Sequence, residues 1–225
     1  MRTRFITAAI GIPVVLAALY VGGPVFHVFM AAYSLGAMFE LCRMLGLTKG
    51  FSALAAGAIV IPYYLNLSLH YLPWDVFLLL YVIITASSFF VFGYTRLTFH
   101  QSAGLIFGGL YIPVLASTLA MVRGMEQGMY LTLAVFLVTW GTDSGAYFIG
   151  MLLGKKKLAP AISPNKSWAG AIGGFFTGII IATAIGIIIK GNVLIFFLWG
   201  CAAAVMGQIG DLCESALKRQ AGVKD

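Results

Sequence analysis

The sequence predicts an all-α fold, a polytopic membrane helical bundle of about eight transmembrane helices. Three observations carry that expectation. Of 225 residues, 61% are hydrophobic and only 9% are charged, whereas a soluble domain carries about 25% charged residues. The mean hydropathy is +0.99. The apolar residues also fall into repeated runs, each near the ~20 residues that cross ~30 Å of hydrocarbon. Long period-two alternation is absent, which argues against a membrane barrel. The same composition excludes a soluble enzyme and a disordered chain.

The first run, 5–21, follows Arg2 and Arg4. Its basic start resembles a signal peptide, but it continues past about 15 residues without a clear cleavage site, so it is expected to stay as the first membrane helix. Seven further runs cover 25–41, 51–69, 76–92, 103–122, 129–153, 169–189 and 193–213. Pro13, Pro62 and Pro113 fall inside runs and are expected to kink them. The 27 glycines let membrane helices approach closely. No repeat of fixed period is visible. The chain is read as a single integral membrane domain, 1–225. Within it, 1–128 forms the N-terminal helices, and 129–225 forms the helices and cytoplasmic loop that carry the chemistry.

Charge supports this count. There are 14 Lys+Arg against 7 Asp+Glu, a net +7. With the N-terminus in the cytoplasm, alternating spans put every basic residue on the cytoplasmic side except Arg123 and Lys190. That is a strong positive-inside bias, and an even number of spans returns the C-terminus to the same side. Excess base suits anionic lipid or a phosphorylated ligand. No long basic stripe favours nucleic acid. Cys42, Cys201 and Cys213 are odd in number and dispersed, which gives neither a disulfide framework nor a zinc site.

With seven acidic residues, each can be weighed. Asp75 and Glu126 sit in short outer loops and read as solvated. Glu40 reads as an i,i+3 partner of Arg43. Asp143 is different. It lies in the apolar stretch VFLVTWGTDSGAYFIGMLLG, about 16 Å from the end at Gly154 if the segment is helical. A carboxylate at that depth is a functional hypothesis by default. Tyr147, Gly150 and Gly154 share its helix face. Asp211 is the second case. Asp211, Glu214, Ser215 and Lys218 share one face, with Asp211 about 10 Å deeper than Lys218. Between the two carboxylates lies GKKKLAPAISPNKSWAGAIGG, a basic loop stiffened by Pro160 and Pro164. Ser163 or Ser167 is expected to cap the helix beginning near Trp168. A capped helix start beside Lys166 is a ready anion site. Carboxylates hold Mg²⁺, and metal plus lysine neutralise a polyphosphate. No Ser-His-Asp set and no P-loop is present.

These residues resemble a known family, the phosphatidate cytidylyltransferases or CDP-diacylglycerol synthases. The resemblance rests on three ordered motifs. The first is Asp143-Ser-Gly-Ala-Tyr147-Phe-Ile-Gly150, followed by Gly154-Lys155 and Lys157-Leu158-Ala159-Pro160. The second is Ser163-Pro164-Asn165-Lys166-Ser167-Trp168, followed by Gly170 and Gly173-Gly174. The third is Gly210-Asp211-Leu-Cys-Glu214-Ser215-Ala-Leu-Lys218-Arg219, then Lys224-Asp225. It is dense from about Trp140 onward and rests earlier on Arg4-Phe-Ile-Thr7-Ala8. Where the family has Trp/Leu-Glu-Gly, this chain has Trp168-Ala169-Gly170, without the carboxylate. The family signature continues past Asp225 with His-Gly-Gly and Asp segments and a further helix, so this chain is expected to be truncated, with a ninth helix in the full-length protein.

The resemblance implies transfer of the cytidylyl group of CTP to phosphatidate, giving CDP-diacylglycerol and pyrophosphate, with Mg²⁺ as cofactor. It implies Asp143, Asp211 and Lys166 as catalytic residues, with Asp211 and Asp143 toward the metal. Ser163, Asn165, Ser167 and Tyr147 would bind substrate, and Lys218, Arg219 and Lys224 would neutralise triphosphate or pyrophosphate. The partners are then CTP, phosphatidate and membrane lipid, with no nucleic acid, and a homodimer stays open. The location is the bacterial inner (plasma) membrane, with the site facing the cytoplasm. Alternatives are a CTP-dependent lipid-alcohol kinase, a transporter with Asp143 as ion site, and a structural membrane protein, which leaves Asp143 unexplained.

Overall fold

Among the described residues, eight helices occupy the eight predicted runs. The computed structural model describes residues 2–91 and 93–222, with 2–8 described by backbone alone. Phe92, at the end of the fourth run, and Lys224 and Asp225 lie outside the described residues. The helices are α1 (Arg2–Val21), α2 (Gly23–Met44), α3 (Lys49–Leu69), α4 (Trp74–Val91), α5 (Phe99–Arg123), α6 (Gly128–Leu153), α7 (Trp168–Ile188) and α8 (Val193–Gln220). This is an all-α polytopic membrane protein. Six of the helices (α2, α3, α4, α5, α7 and α8) are long and apolar enough to cross a membrane by length and composition. α1 contributes the shorter apolar stretch Ala9–Val21. α6 has the length, at 26 residues, but a polar run from Thr139 to Ser144 dilutes its middle.

The segment expected to be a stiff loop instead forms an antiparallel hairpin of β1 (Lys157–Ala159) and β2 (Ser163–Ser167), pairing Lys157 with Ser167 and Ala159 with Ser163. It is too short and too polar to show a period-two pattern. Pro164 is tolerated because a two-stranded ribbon leaves every strand an edge.

The chain divides into two compact units, Met1–Met129 and Tyr130–Asp225. In the first, α2 packs on α3 and α5, and α4 packs on α5. The buried face of α2 is a strict i,i+4 stripe of Phe26, Met30, Ser34, Met38 and Cys42. Two buried pairs of hydroxyls in this unit satisfy each other, as low dielectric favours. Ser34 Oγ meets the Tyr64 hydroxyl at 3.1 Å, and Ser117 Oγ meets the Tyr63 hydroxyl at 2.9 Å. α3 and α5 run through Pro62 and Pro113. Pro113 has no N–H for the carbonyl of Gly109 four residues earlier. The Tyr81 hydroxyl donates to that carbonyl at 3.0 Å and shares its proton with Ile59 O at 3.1 Å. At the end of α1, Arg123 Nε donates to Leu19 O at 2.8 Å, supplying a cap for carbonyls that have no helical partner.

The second unit is built on α7. Its glycines Gly170, Gly173, Gly174 and Gly178 are buried. α6 comes so close that a Cβ on Gly170 would stand 2.6 Å from Ala146 O. On the other side, Gly200 of α8 abuts Ile179 and Ala182. This small-residue seam sets α6 and α8 against α7 and brings their carboxylates toward the hairpin.

Candidate active site

Ser167 joins the hairpin to α7. It ends β2, is 4% exposed, and caps α7, with its Oγ accepting from Gly170 N at 3.2 Å. Of the two serines considered as caps, Ser167 takes the role. The Trp168 N–H donates to Lys156 O at 3.0 Å, so the hairpin is tied to the helix start. Lys166 is therefore held on a short, anchored strand.

A cleft of about 450 Å³ opens between the hairpin, α6, α7 and α8. Asp143 and Tyr147 of α6, Asn165, Lys166 and Ser167 of β2, and Asp211 of α8 all line it. Lys166 Nζ forms an ion pair with Asp211 Oδ2. Asp143 lies within reach of the charges of both Asp211 and Lys166. Two carboxylates and one ammonium thus converge from three elements separated by up to 68 positions in sequence. Gly150 completes the α6 face. A Cβ there would stand 3.2 Å from Ser167 Oγ and 3.4 Å from Gly170 Cα, so the small residue permits the approach that closes the cleft floor.

Three expected residues are placed elsewhere. Ser163 sits at the turn end of β2, four residues from Ser167, and does not line the cleft. Lys218 lies two turns beyond Asp211 and pairs with Glu214 at 2.7 Å. Arg219 turns to the hairpin, its Nε donating to Ile162 O at 3.4 Å. Neither base lines the cleft: Lys218 keeps nearly the face of Asp211 but stands about 10 Å further along the helix, and Arg219 lies about 100° further round it. Lys224 lies outside the described residues.

The sequence does not single out one of the lining residues. Gln208 faces the cleft, and its Nε2 donates to Ala171 O at 3.1 Å, tying α8 to the first turns of α7. Its i,i+3 spacing to Asp211 places it on the same face, but an uncharged amide in an apolar helix gives no charge signal.

The rim is apolar. Tyr147 and Met151 line the cleft while remaining 66% and 62% exposed. Ile172 and Phe176 on α7 are exposed as well. A cleft with a charged wall and an apolar rim can take an amphiphile by its headgroup.

The donor set also fits a divalent cation. Among the described residues no group of three or more His, Cys, Asp or Glu gathers as a metal cage. Two carboxylates facing one cleft fit the one or two through which Mg²⁺ is usually bound when substrate phosphates and water complete its shell.

Residues 2–225 match the model of a family described as the cytidylyltransferase family. A phosphatidate cytidylyltransferase from Staphylococcus aureus (strain COL) is 35% identical over 236 residues, which covers 100% of this chain and 88% of that protein. The phosphatidate cytidylyltransferase of Staphylococcus haemolyticus is 33% identical over 237 residues, with the same coverage. That of Haemophilus influenzae is 44% identical over 106 residues, 44% of this chain and 36% of its own length.

Proposed function

The chain belongs to the cytidylyltransferase family, and from that premise we propose that it transfers the cytidylyl group of CTP to phosphatidate in a bacterial inner membrane, with its cleft facing the cytoplasm. The observation that carries this reading is the convergence of Lys166, Asp211 and Asp143 in one cleft with an apolar rim. A phosphate oxygen of phosphatidate attacks the α-phosphorus of CTP. The bond to the β-phosphate breaks, and pyrophosphate leaves with the electron pair. No covalent enzyme intermediate is needed.

The chain's own residues align and neutralise. Lys166 holds a phosphate of the nucleotide or the lipid. Asn165 and Ser167 offer an amide and a hydroxyl beside it, with the N-terminus of α7 behind them. Tyr147 and Met151 border the acyl chains. Asp211 and Asp143 would hold Mg²⁺, which when bound supplies positive charge to the triphosphate and the departing pyrophosphate. Alignment of two anionic substrates in a preorganised site is the main source of rate.

The test is transfer of label from α-³²P-CTP to phosphatidate in mixed micelles of the purified full-length protein. Labelled lipid together with stoichiometric pyrophosphate is expected. Phosphorylation of a lipid alcohol by CTP, with CDP released and no pyrophosphate, would replace the reading with a lipid kinase.

A further inference from the structure

The ion pair of Lys166 and Asp211 joins two groups that the proposed reaction needs for different partners. Both line the cleft, and their side chains are 25% and 52% exposed. A carboxylate engaged by an ammonium offers less negative charge to a divalent cation. An ammonium engaged by a carboxylate offers less positive charge to a phosphate. An ion pair this exposed is weak enough to be exchanged.

We infer that the Lys166–Asp211 pair is an exchangeable latch that couples the two ligands of the cleft: a divalent cation gains Asp211 as a polyphosphate gains Lys166, so each favours the other's binding. This rests on the cytidylyl-transfer reading and adds a binding order to it. While the pair holds, Asp143 is the acidic group left to attract a cation, and no lysine of the cleft is left to attract an anion. A cation and a polyanion entering together remove both penalties. The coupling is reciprocal, because it is a free energy shared by the two ligands. The exchange also needs little backbone motion. Lys166 rides on a hairpin fixed by the Ser167 cap, by the Trp168–Lys156 bond and by Arg219 on Ile162 O. Asp211 stands on a helix tied to α7 by Gln208. Rotation of two side chains is sufficient.

Two single-ligand measurements test this, each free of metal–nucleotide chelation. The first is Mn²⁺ binding to the purified full-length protein without nucleotide, read by the electron paramagnetic resonance of free Mn²⁺. Lys166→Met should tighten Mn²⁺ binding by about threefold or more, since it releases Asp211. Lys166→Arg, which keeps the pair, should bind Mn²⁺ as the unaltered protein does. Lys156→Met removes a charge outside the cleft and sets the background, which must be smaller. The second is CTP binding in excess chelator, where Asp211→Asn should bind CTP more tightly than the unaltered protein because Lys166 is released. An unchanged or weakened affinity in either measurement, with folded protein confirmed by its melting curve, overturns the latch. Failure of the transfer reading registers separately, as absence of labelled lipid from the unaltered protein.

Discussion

Asp211 and Lys166 are half-exposed and one-quarter exposed charges whose worth lies in chemistry more than in stability, since an ion pair of this kind contributes about 0–1 kcal/mol. Asp211→Asn should therefore leave the melting temperature nearly unchanged and abolish cytidylyl transfer, because the amide keeps the shape and loses the charge that attracts metal. Near-normal turnover at saturating Mg²⁺ would remove Asp211 from the site. Lys166→Ala should cost about 2–4 kcal/mol in kcat/KM, the scale of removing a charge-assisted hydrogen bond from a preorganised site. Lys156→Ala is the matched control. Lys156 is exposed, and Lys155 and Lys157 still supply basic charge beside it. Equal, mild effects of the two substitutions would show that β2 is not a phosphate site.

The seam between α6 and α7 decides whether the cleft exists. Gly170 is buried, and a Cβ placed on it would meet the backbone carbonyl of Ala146, which cannot swing aside as a side chain can. Gly170→Ala should push the helices apart and destabilise the protein by about 1–3 kcal/mol, the usual cost of overpacking. It should also weaken substrate binding, because Ser167 and Asp143 move with their helices. A thermal melt alongside KM would show both. The first unit has its own sensitive element. Tyr81→Phe leaves the carbonyl of Gly109 without the donor that replaces the missing Pro113 N–H. The expected loss is about 1–3 kcal/mol, the cost of an unsatisfied buried acceptor, with kcat little changed. A melting temperature equal to that of the unaltered protein would show that α5 satisfies the carbonyl in another way.

Across the whole molecule, the distribution of charge predicts an orientation. The positive-inside bias predicts that the Lys155–Lys157 run and the cleft face the cytoplasm, with Arg123 and Lys190 outside. Arg123 does not weaken the rule, since its guanidinium caps α1 through Leu19 O and Tyr20 O. Single cysteines at positions 157 and 75, in a protein lacking Cys42, Cys201 and Cys213, should label from opposite faces of sealed vesicles. Equal labelling from outside would overturn the orientation and, with it, the cytoplasmic site.

Helix number and placement were legible in the sequence because a bilayer imposes one requirement, an apolar run of about 20 residues, that is local to each segment. Asp143 and Asp211 were legible for a related reason. A carboxylate in such a run is costly unless it has work to do, so its presence alone singles it out. The Ser167 cap was legible as a choice between two serines. The hairpin was not, since its pairing of Lys157 with Ser167 depends on the ends of α6 and α7 being held together. The placement of the basic residues was not legible either. Lys166 meets Asp211 while Lys218 meets Glu214 and Arg219 meets Ile162 O, although all three bases looked alike as neighbours of a phosphate site. Composition and spacing determine which residues can bear charge in a membrane. Which of those charges share a cleft is decided by helix rotation and by the close approach of glycine to glycine, which are properties of the packed chain.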